Sequence, residues 1–479
     1  VTNAVRTLAA YQDDLGVTAT AGTTQLGVTN PSLIAAGATR NVVVTAAKAG
    51  LLTDTLTLSL ASKALAASGL ADGATTSQTV AVTGTAYDFA SATHAATLAL
   101  GNVRVTTNAT TGTLTVTNAL ATNGTAAYQD ALDLAATSSN ARLSVLGAAT
   151  GIAATATGDV TVRAITAGSL AGNLTLGLTS KALSGSGLAD GSLANGTVAV
   201  TGAAYDFATA AVASSLTLNN VRTGTLTNVS VGNTVTTSAA FQDSLDVAAT
   251  SSNAKLTLTN PANIAAGAAR NLVVNAATAG VLDATLTLGL TSNANNVADL
   301  TNVTLAGKTI AVTGAAYDLA RPTVASTLAL GNRRVGTAGN LNIANTTLTS
   351  ASFQDSLDVT SATSNAKLTL GSVANILAGA DRNLVVTAAT AGDLGATLTL
   401  GLTSNANGVA GLTNAALANR TVTVTGAAYD LANASVGSTL ALGNIRRGAQ
   451  YNLAVTNAVR TLAAYQDDLG VTATAGTTQ

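Results

Sequence analysis

Apolar and polar residues alternate with a period of two in short runs along the whole chain, as in "TLTLG" from Thr397, "TVTVTG" from Thr421 and "KLTLTN" from Lys255. Each run ends at Gly, Asn or Asp, the pattern of a half-buried β-strand followed by a turn. Runs rich in β-branched residues, such as "NLVVNA" from Asn271, read the same way. The density of Thr, Val, Asn and Gly disfavours helix, and short Ala-rich pieces such as "LIAAGA" from Leu33 predict single turns only. An all-β chain is expected.

The strands belong to repeats. "AYQDDL", "AYQDAL", "AFQDSL" and "SFQDSL" place a ring at Tyr11, Tyr128, Phe241 and Phe353, and "AYQDDL" returns at Tyr465, with spacings of 117, 113, 112 and 112 residues. A second motif, "GTAYDFA", "GAAYDFA" or "GAAYDLA", advances with it at Tyr87, Tyr205, Tyr317 and Tyr429. The first 25 residues recur unchanged as Val455–Gln479, a shift of 454 positions. The chain therefore reads as one period of four units and the start of another. Residues 1–10 are the end of a preceding repeat; 11–127, 128–240, 241–352 and 353–464 are units one to four; 465–479 copy 11–25 and open the next period.

Each unit contains about three sub-repeats of Asn, a Val/Thr run, a small-residue turn and Asp-Leu, the signature of a quasi-one-dimensional array. Two architectures accommodate it. In a β-solenoid the sub-repeats are coils whose equivalent strands stack about 4.8 Å apart. In a string of immunoglobulin-like sandwiches each unit is one domain. The threefold repetition inside a unit favours the tandem-repeat solenoid, with the sandwich string as the alternative.

The "NLVVTAATAGDLGATLTLG" phrasing from Asn383, which recurs through most of the chain, resembles repetitive bacterial surface proteins of the filamentous-haemagglutinin-like adhesin and autotransporter passenger type. That resemblance implies a secreted or surface-anchored bacterial protein of adhesive or structural character.

Composition narrows the function. Charged residues are 9% of the chain, hydrophobic residues 47% and aromatics 3%, and there is no Cys, Met, Trp or Glu. Such a chain is too apolar for disorder, and its net charge of −1 leaves no basic footprint for nucleic acid. Thr, Asn, Ser and Gly interrupt every apolar run before it reaches the length of about 18 residues needed to span a membrane as a helix. The absence of the two sulfur side chains suits a long-lived extracellular object.

Candidate chemistry is sparse. His94 is the only histidine and there is no cysteine, so no His- or Cys-based catalytic or metal constellation can be assembled, and no enzyme is expected. Eleven of the twelve aromatics lie in the two motifs. Tyr11, Tyr87, Tyr128, Tyr205, Phe241, Tyr317, Phe353, Tyr429 and Tyr465 are read as structural anchors, because Tyr and Phe interchange at the Gln-Asp motif and the hydroxyl is dispensable there. A carbohydrate platform is the alternative use of these rings. Asp88, Asp206, Asp318 and Asp430 are the calcium candidates, but the chain has no Gly-Gly pair and so lacks the nonapeptide calcium motif; turn capping is the expected role of the repeated Asp residues, and no cofactor is expected. Arg104, Arg222, Arg334 and Arg446, and a second set at Arg40, Arg270, Arg382 and Arg420, are expected to pair from one coil to an Asp of another and fix register, with solvated surface arginine as the alternative.

The expectation is an extracellular, cell-surface structural fibre or fibrous adhesin that self-associates or continues into identical periods. Its alternatives are a sandwich-domain stalk and a surface-layer subunit. The partner is another copy of itself, with the cell surface or host matrix carbohydrate as a further candidate.

Overall fold

The computed structural model describes residues 1–105 and 111–476. The described residues are all-β, with only single-turn 3-10 segments such as Ala239–Phe241 between strands. Among the described residues no helix is long and apolar enough to cross a membrane.

The alternating runs form strands that pair within a unit, and residues 207–317 show the arrangement. In chain order the main strands are Ala210–Val212, Ser215–Arg222, Leu226–Asn233, Ser244–Ser251, Leu256–Thr259, Ala269–Ala276, Ala284–Asn293 and Val303–Tyr317, called here the first to the eighth. One sheet has the order first, third, sixth, fifth; the other has second, eighth, seventh, fourth, with the two-residue piece Gly280–Val281 on the eighth. All pairings are antiparallel except that of the second strand with the eighth, where Ser215 to Arg222 run parallel to Ala311 to Tyr317. This is the strand order of an immunoglobulin-type sandwich with a parallel strand added at one edge.

The period-two pattern explains why two sheets form. In Ala284–Asn293, Leu286, Leu288 and Leu290 point inward while Thr285 and Thr287 point outward. In the facing sheet Leu272 and Val274 do the same. The inward residues of both sheets make one core of small aliphatic side chains, each contributing about 25 cal/mol per Å² of apolar surface removed from water.

The chain is thus a string of sandwiches. Separate cores run from Ala90 to Ala204, from Ala208 to Ala316 and from Ala320 to Ala428. A smaller one, from Val17 to Leu58, belongs to the N-terminal sandwich. Sequence motif and core have the same period but a different phase. Tyr205 and Tyr317 lie at the ends of eighth strands, between cores, whereas Phe241 and Phe353 lie between the third and fourth strands of a sandwich.

The expected solenoid is corrected by this pairing. A solenoid needs equivalent strands of successive coils stacked in parallel, but here neighbouring Val/Thr runs fold back on each other antiparallel. The three sub-repeats of a unit are strand–turn–strand segments of one sandwich, alike because each must bury alternate residues, and not because each closes a coil.

Candidate functional site

The structure concentrates its buried polar groups where one sandwich meets the next. At the Tyr317-Asp318 junction, the Asp318 N–H donates to the Phe353 carbonyl at 2.8 Å and the Asp355 N–H donates to the Asp318 carbonyl at 3.1 Å, so the link is stitched into the following sandwich as a short parallel bridge. The two sequence motifs, 36 residues apart, therefore meet: the rings of Tyr317 and Phe353 pack with centroids 5.4 Å apart. Tyr87 with Tyr128, Tyr205 with Phe241, and Tyr429 with Tyr465 do the same at 5.9, 5.6 and 5.5 Å. All eight rings are half-buried, whereas Tyr11 is exposed.

Behind the rings lies a hydrogen-bonded network. Asn345 accepts from the Arg321 N–H and from Gln354 Nε2, and its own amide donates to the carbonyls of Asp355 and Ile376 at 2.8 and 3.0 Å. Gln354 also donates to the Thr346 carbonyl and accepts from the Leu348 N–H. Ser404 Oγ accepts from the Ala320 N–H and donates to Asp355 Oδ2 at 2.7 Å. Burying these groups is tolerable because each polar atom is matched, and leaving one unmatched would carry the full desolvation cost.

The remaining oxygen of Asp355 faces the preceding sandwich. Arg222, the last residue of that sandwich's second strand, places Nη1 2.8 Å from Asp355 Oδ1, and its Nη2 donates to the Thr413 carbonyl at 2.9 Å. Asn220 adds a bond to the Ala410 carbonyl. One junction earlier, Arg104 reaches Asp243 at 2.6 Å and the Thr301 carbonyl at 3.0 Å, and its guanidinium lies 4.9 Å from the centre of the Phe207 ring. One junction later Arg334 pairs with Asp467, which holds the guanidinium above its usual range. Asp243 and Asp355 are thus each shared by a serine of their own sandwich and an arginine of the one before.

This alters two expectations. Asp243 and Asp355 of the Gln-Asp motif do not cap turns; each carboxylate takes a Ser side chain of its own sandwich and an Arg side chain from across the junction. Of the two arginine sets, Arg104, Arg222 and Arg334 form the inter-repeat pairs, while Arg40, Arg270, Arg382 and Arg420 are exposed and make no ion pair among the described residues.

The calcium candidates Asp88, Asp206, Asp318 and Asp430 sit one in each junction. Asp318 Oδ1 accepts from Thr223 Oγ1, and the Oδ2 atoms of Asp206, Asp318 and Asp430 are buried without a protein hydrogen bond among the described residues. Those residues contain no group of three or more His, Cys, Asp or Glu placed to hold a metal ion. A cleft of about 390 Å³ beside the Tyr317 junction is lined by Tyr317, Ser352, Gln354, Asp355 and Asn407, whose only carboxylate is already ion-paired.

Sequence reading passed over the asparagine and serine of the network. The signal was present: an Asn precedes the motif Gln by nine residues at Asn3, Asn233, Asn345 and Asn457, and by eleven at Asn118. In a chain so rich in Asn and Ser that spacing does not stand out.

No protein-family model matches the chain, and no curated protein matches it in sequence. Solved structures superpose loosely. An I-band fragment of titin shares 10% identity at a TM-score of 0.29, over 70% of this chain and 98% of the fragment. Domains 4–9 of the surface layer protein SbsC share 15% identity at 0.18, over 93% of this chain and 64% of theirs. The N-terminal eight immunoglobulin domains of Down syndrome cell adhesion molecule share 9% at 0.23, over 88% and 49%. The class of the chain, a tandem immunoglobulin-type sandwich protein, rests on its own strand pairing.

Proposed function

We propose that this chain is a length of extracellular stalk: tandem sandwiches held in fixed succession to project or space material at a bacterial cell surface. The observation that carries the reading is the ion pair repeated across successive junctions, Arg104 with Asp243 and Arg222 with Asp355, in which the carboxylate is buried within the following sandwich. A flexible linker would leave these groups in water. Burying them at two successive junctions makes sense only where the angle between neighbours matters.

The sequence resemblance to bacterial surface adhesins and the scarcity of charge and sulfur support the extracellular setting. The role is mechanical and needs neither catalysis nor cofactor. Its partner is a further length of the same material.

Electron microscopy of the purified chain tests the proposal. Straight rods whose length grows by roughly 40 Å per sandwich, the span of strands of about ten residues with their loops, are expected. Particles bent at random between sandwiches would overturn it.

A further inference from the structure

The side of the fourth sandwich holds a groove between two strand edges. Its first strand, Pro322–Val324, pairs only with the third, Ala338–Asn345, and so ends its sheet. In the facing sheet the second strand, Thr327–Arg334, meets the eighth, Ala415–Tyr429, only from Thr423 onward. The first half of the eighth strand therefore has the seventh, Ala396–Asn405, on one side and no strand on the other among the described residues. Backbone groups are left over there. Thr423 donates its N–H to the Ser326 carbonyl at 2.9 Å. Alternate residues of a strand turn their N–H groups the same way, so the Thr421 N–H points toward the open side.

The groove encloses about 640 Å³, and ligand pockets typically span roughly 300 to 1,000 Å³. Leu319, Pro322, Leu348 and Leu417 give it an apolar lining, with Leu319 37% and Leu348 50% exposed. Arg321 and Arg420 line it too. Both are exposed, and neither side chain makes an ion pair or hydrogen bond among the described residues. Arg420 lies opposite the buried Leu400 and two positions before the buried Val422, so the alternation of the strand aims it at the inner face of its sheet, into the groove.

The framework does not require these two cations. "DLARPTV" from Asp318 matches "DFATAAV" from Asp206 and "DFASATH" from Asp88, so Arg321 stands where the third and second sandwiches have Thr209 and Ser91. "LANRTVTVTG" from Leu417 matches "LAGKTIAVTG" from Leu305 and "LANGTVAVTG" from Leu193, so Arg420 stands where they have Lys308 and Gly196. Of these three sandwiches only the fourth is basic at both positions. In a chain with 9% charged residues, two unpaired guanidinium groups at one groove call for an anion.

We propose that this groove binds an extended acidic peptide. Its backbone pairs with the free edge at Thr421, its apolar side chains cover Leu319, Leu348 and Leu417, and its carboxylates take Arg321 and Arg420. A small anion would satisfy the arginines and leave the leucines and the strand edge in water. An acyl chain would cover the leucines and leave the edge unpaired. A peptide with acidic side chains meets all three demands at once. The proposal goes beyond the stalk reading, which rests on the junctions, and gives one sandwich of the stalk a binding role of its own.

The test uses the 479-residue chain and fluorescently tagged, capped hexapeptides of equal Leu and Asp content in every order, with the matching Leu/Asn peptides as uncharged controls. Fluorescence anisotropy is expected to show saturable binding of at least one Leu/Asp peptide, tighter than its Leu/Asn counterpart by about tenfold or more. Hydrogen exchange followed by mass spectrometry should slow across residues 417–422 in the complex and stay unchanged in the third sandwich. A double variant, Arg321→Thr with Arg420→Gln, takes the residues that sister sandwiches carry at these positions, Thr209 and Gln78, and so keeps the fold. It is expected to bind about tenfold or more weakly. No saturable binding, equal binding of the Leu/Asn peptides, or undiminished binding by the variant overturns the proposal. So does a parent chain that binds no peptide while the variant self-associates, an outcome that makes the two arginines guards of an open strand edge.

Discussion

Arg222 and Asp355, 133 positions apart, meet at 2.8 Å across the boundary between two sandwiches. The aspartate side chain is 1% exposed and the arginine side chain 23%. Removing the cation while the carboxylate stays buried is far more damaging than removing a surface charge.

Arg222→Ala is therefore expected to destabilise the following sandwich by about 3 kcal/mol. Protease cleavage or amide exchange within residues 319–429 measures it. The same change at Arg104, whose side chain is 13% exposed, should cost at least as much, and at the half-exposed Arg334 less. Equal effects at all three sites would mean that burial does not set the strength of the pair.

Asn233 makes four hydrogen bonds, donating to the Asp243 and Ile264 carbonyls and accepting from the Thr209 N–H and from Gln242 Nε2. Asn233→Ala strands several buried partners at once. A loss of about 3 kcal/mol in the stability of residues 207–317 is expected, measured by urea unfolding followed through local exchange. Asn233→Asp should fare no better, because a carboxylate cannot donate to two carbonyls.

The turn between seventh and eighth strands provides an internal comparison for pH. Hydrogen bonds from Lys63 and the Ala64 N–H hold the Asp72 carboxyl below its usual value, and Lys181 with the Ala182 N–H does so for Asp190. In the third and fourth sandwiches Asn302 and Asn414 accept the corresponding bonds from Ala294 and Ala406. A lowered folded-state value contributes stability above the unfolded value of about 3.9 and loses it as pH falls through the folded one. Below about pH 4, exchange at Ala64 and Ala182, corrected for intrinsic rate, should accelerate relative to Ala294 and Ala406.

Gly314 has φ of +152°, and a Cβ there would lie 2.6 Å from the Asn219 carbonyl. The register of the second and eighth strands shifts at this point, Thr217 facing Thr313 and Asn219 facing Gly314. Gly314→Ala is expected to cost about 2 kcal/mol and to release the second strand first, seen as faster exchange of Leu216 to Arg222.

The sequence announced the strands and the period because both are local properties: "TLTLG" must bury every second residue wherever it sits. The choice between coil and sandwich was not local. It depends on whether the run from Ala284 turns back on the run from Val303 or passes on to a further coil, and Thr/Leu alternation is indifferent to that. The meeting of Tyr317 with Phe353 was hidden for a related reason. Each motif was legible alone, but their contact follows from the path of the chain between sandwiches. Arg104, Arg222 and Arg334 stood out because charge is so scarce, whereas Asn345 and Ser404 were lost among dozens of like residues.

The parallel pairing of second and eighth strands, present in the sandwiches that end at Tyr205, Tyr317 and Tyr429, also determines how such a chain takes tension. The polypeptide enters near the start of the second strand and leaves at the end of the eighth, so a pull on the two ends draws Ser215 and Tyr317 in opposite directions along their shared ladder. Its hydrogen bonds are then loaded together in shear and cannot be peeled open one by one. Strain that has passed the three-residue first strand meets this ladder ahead of the cores.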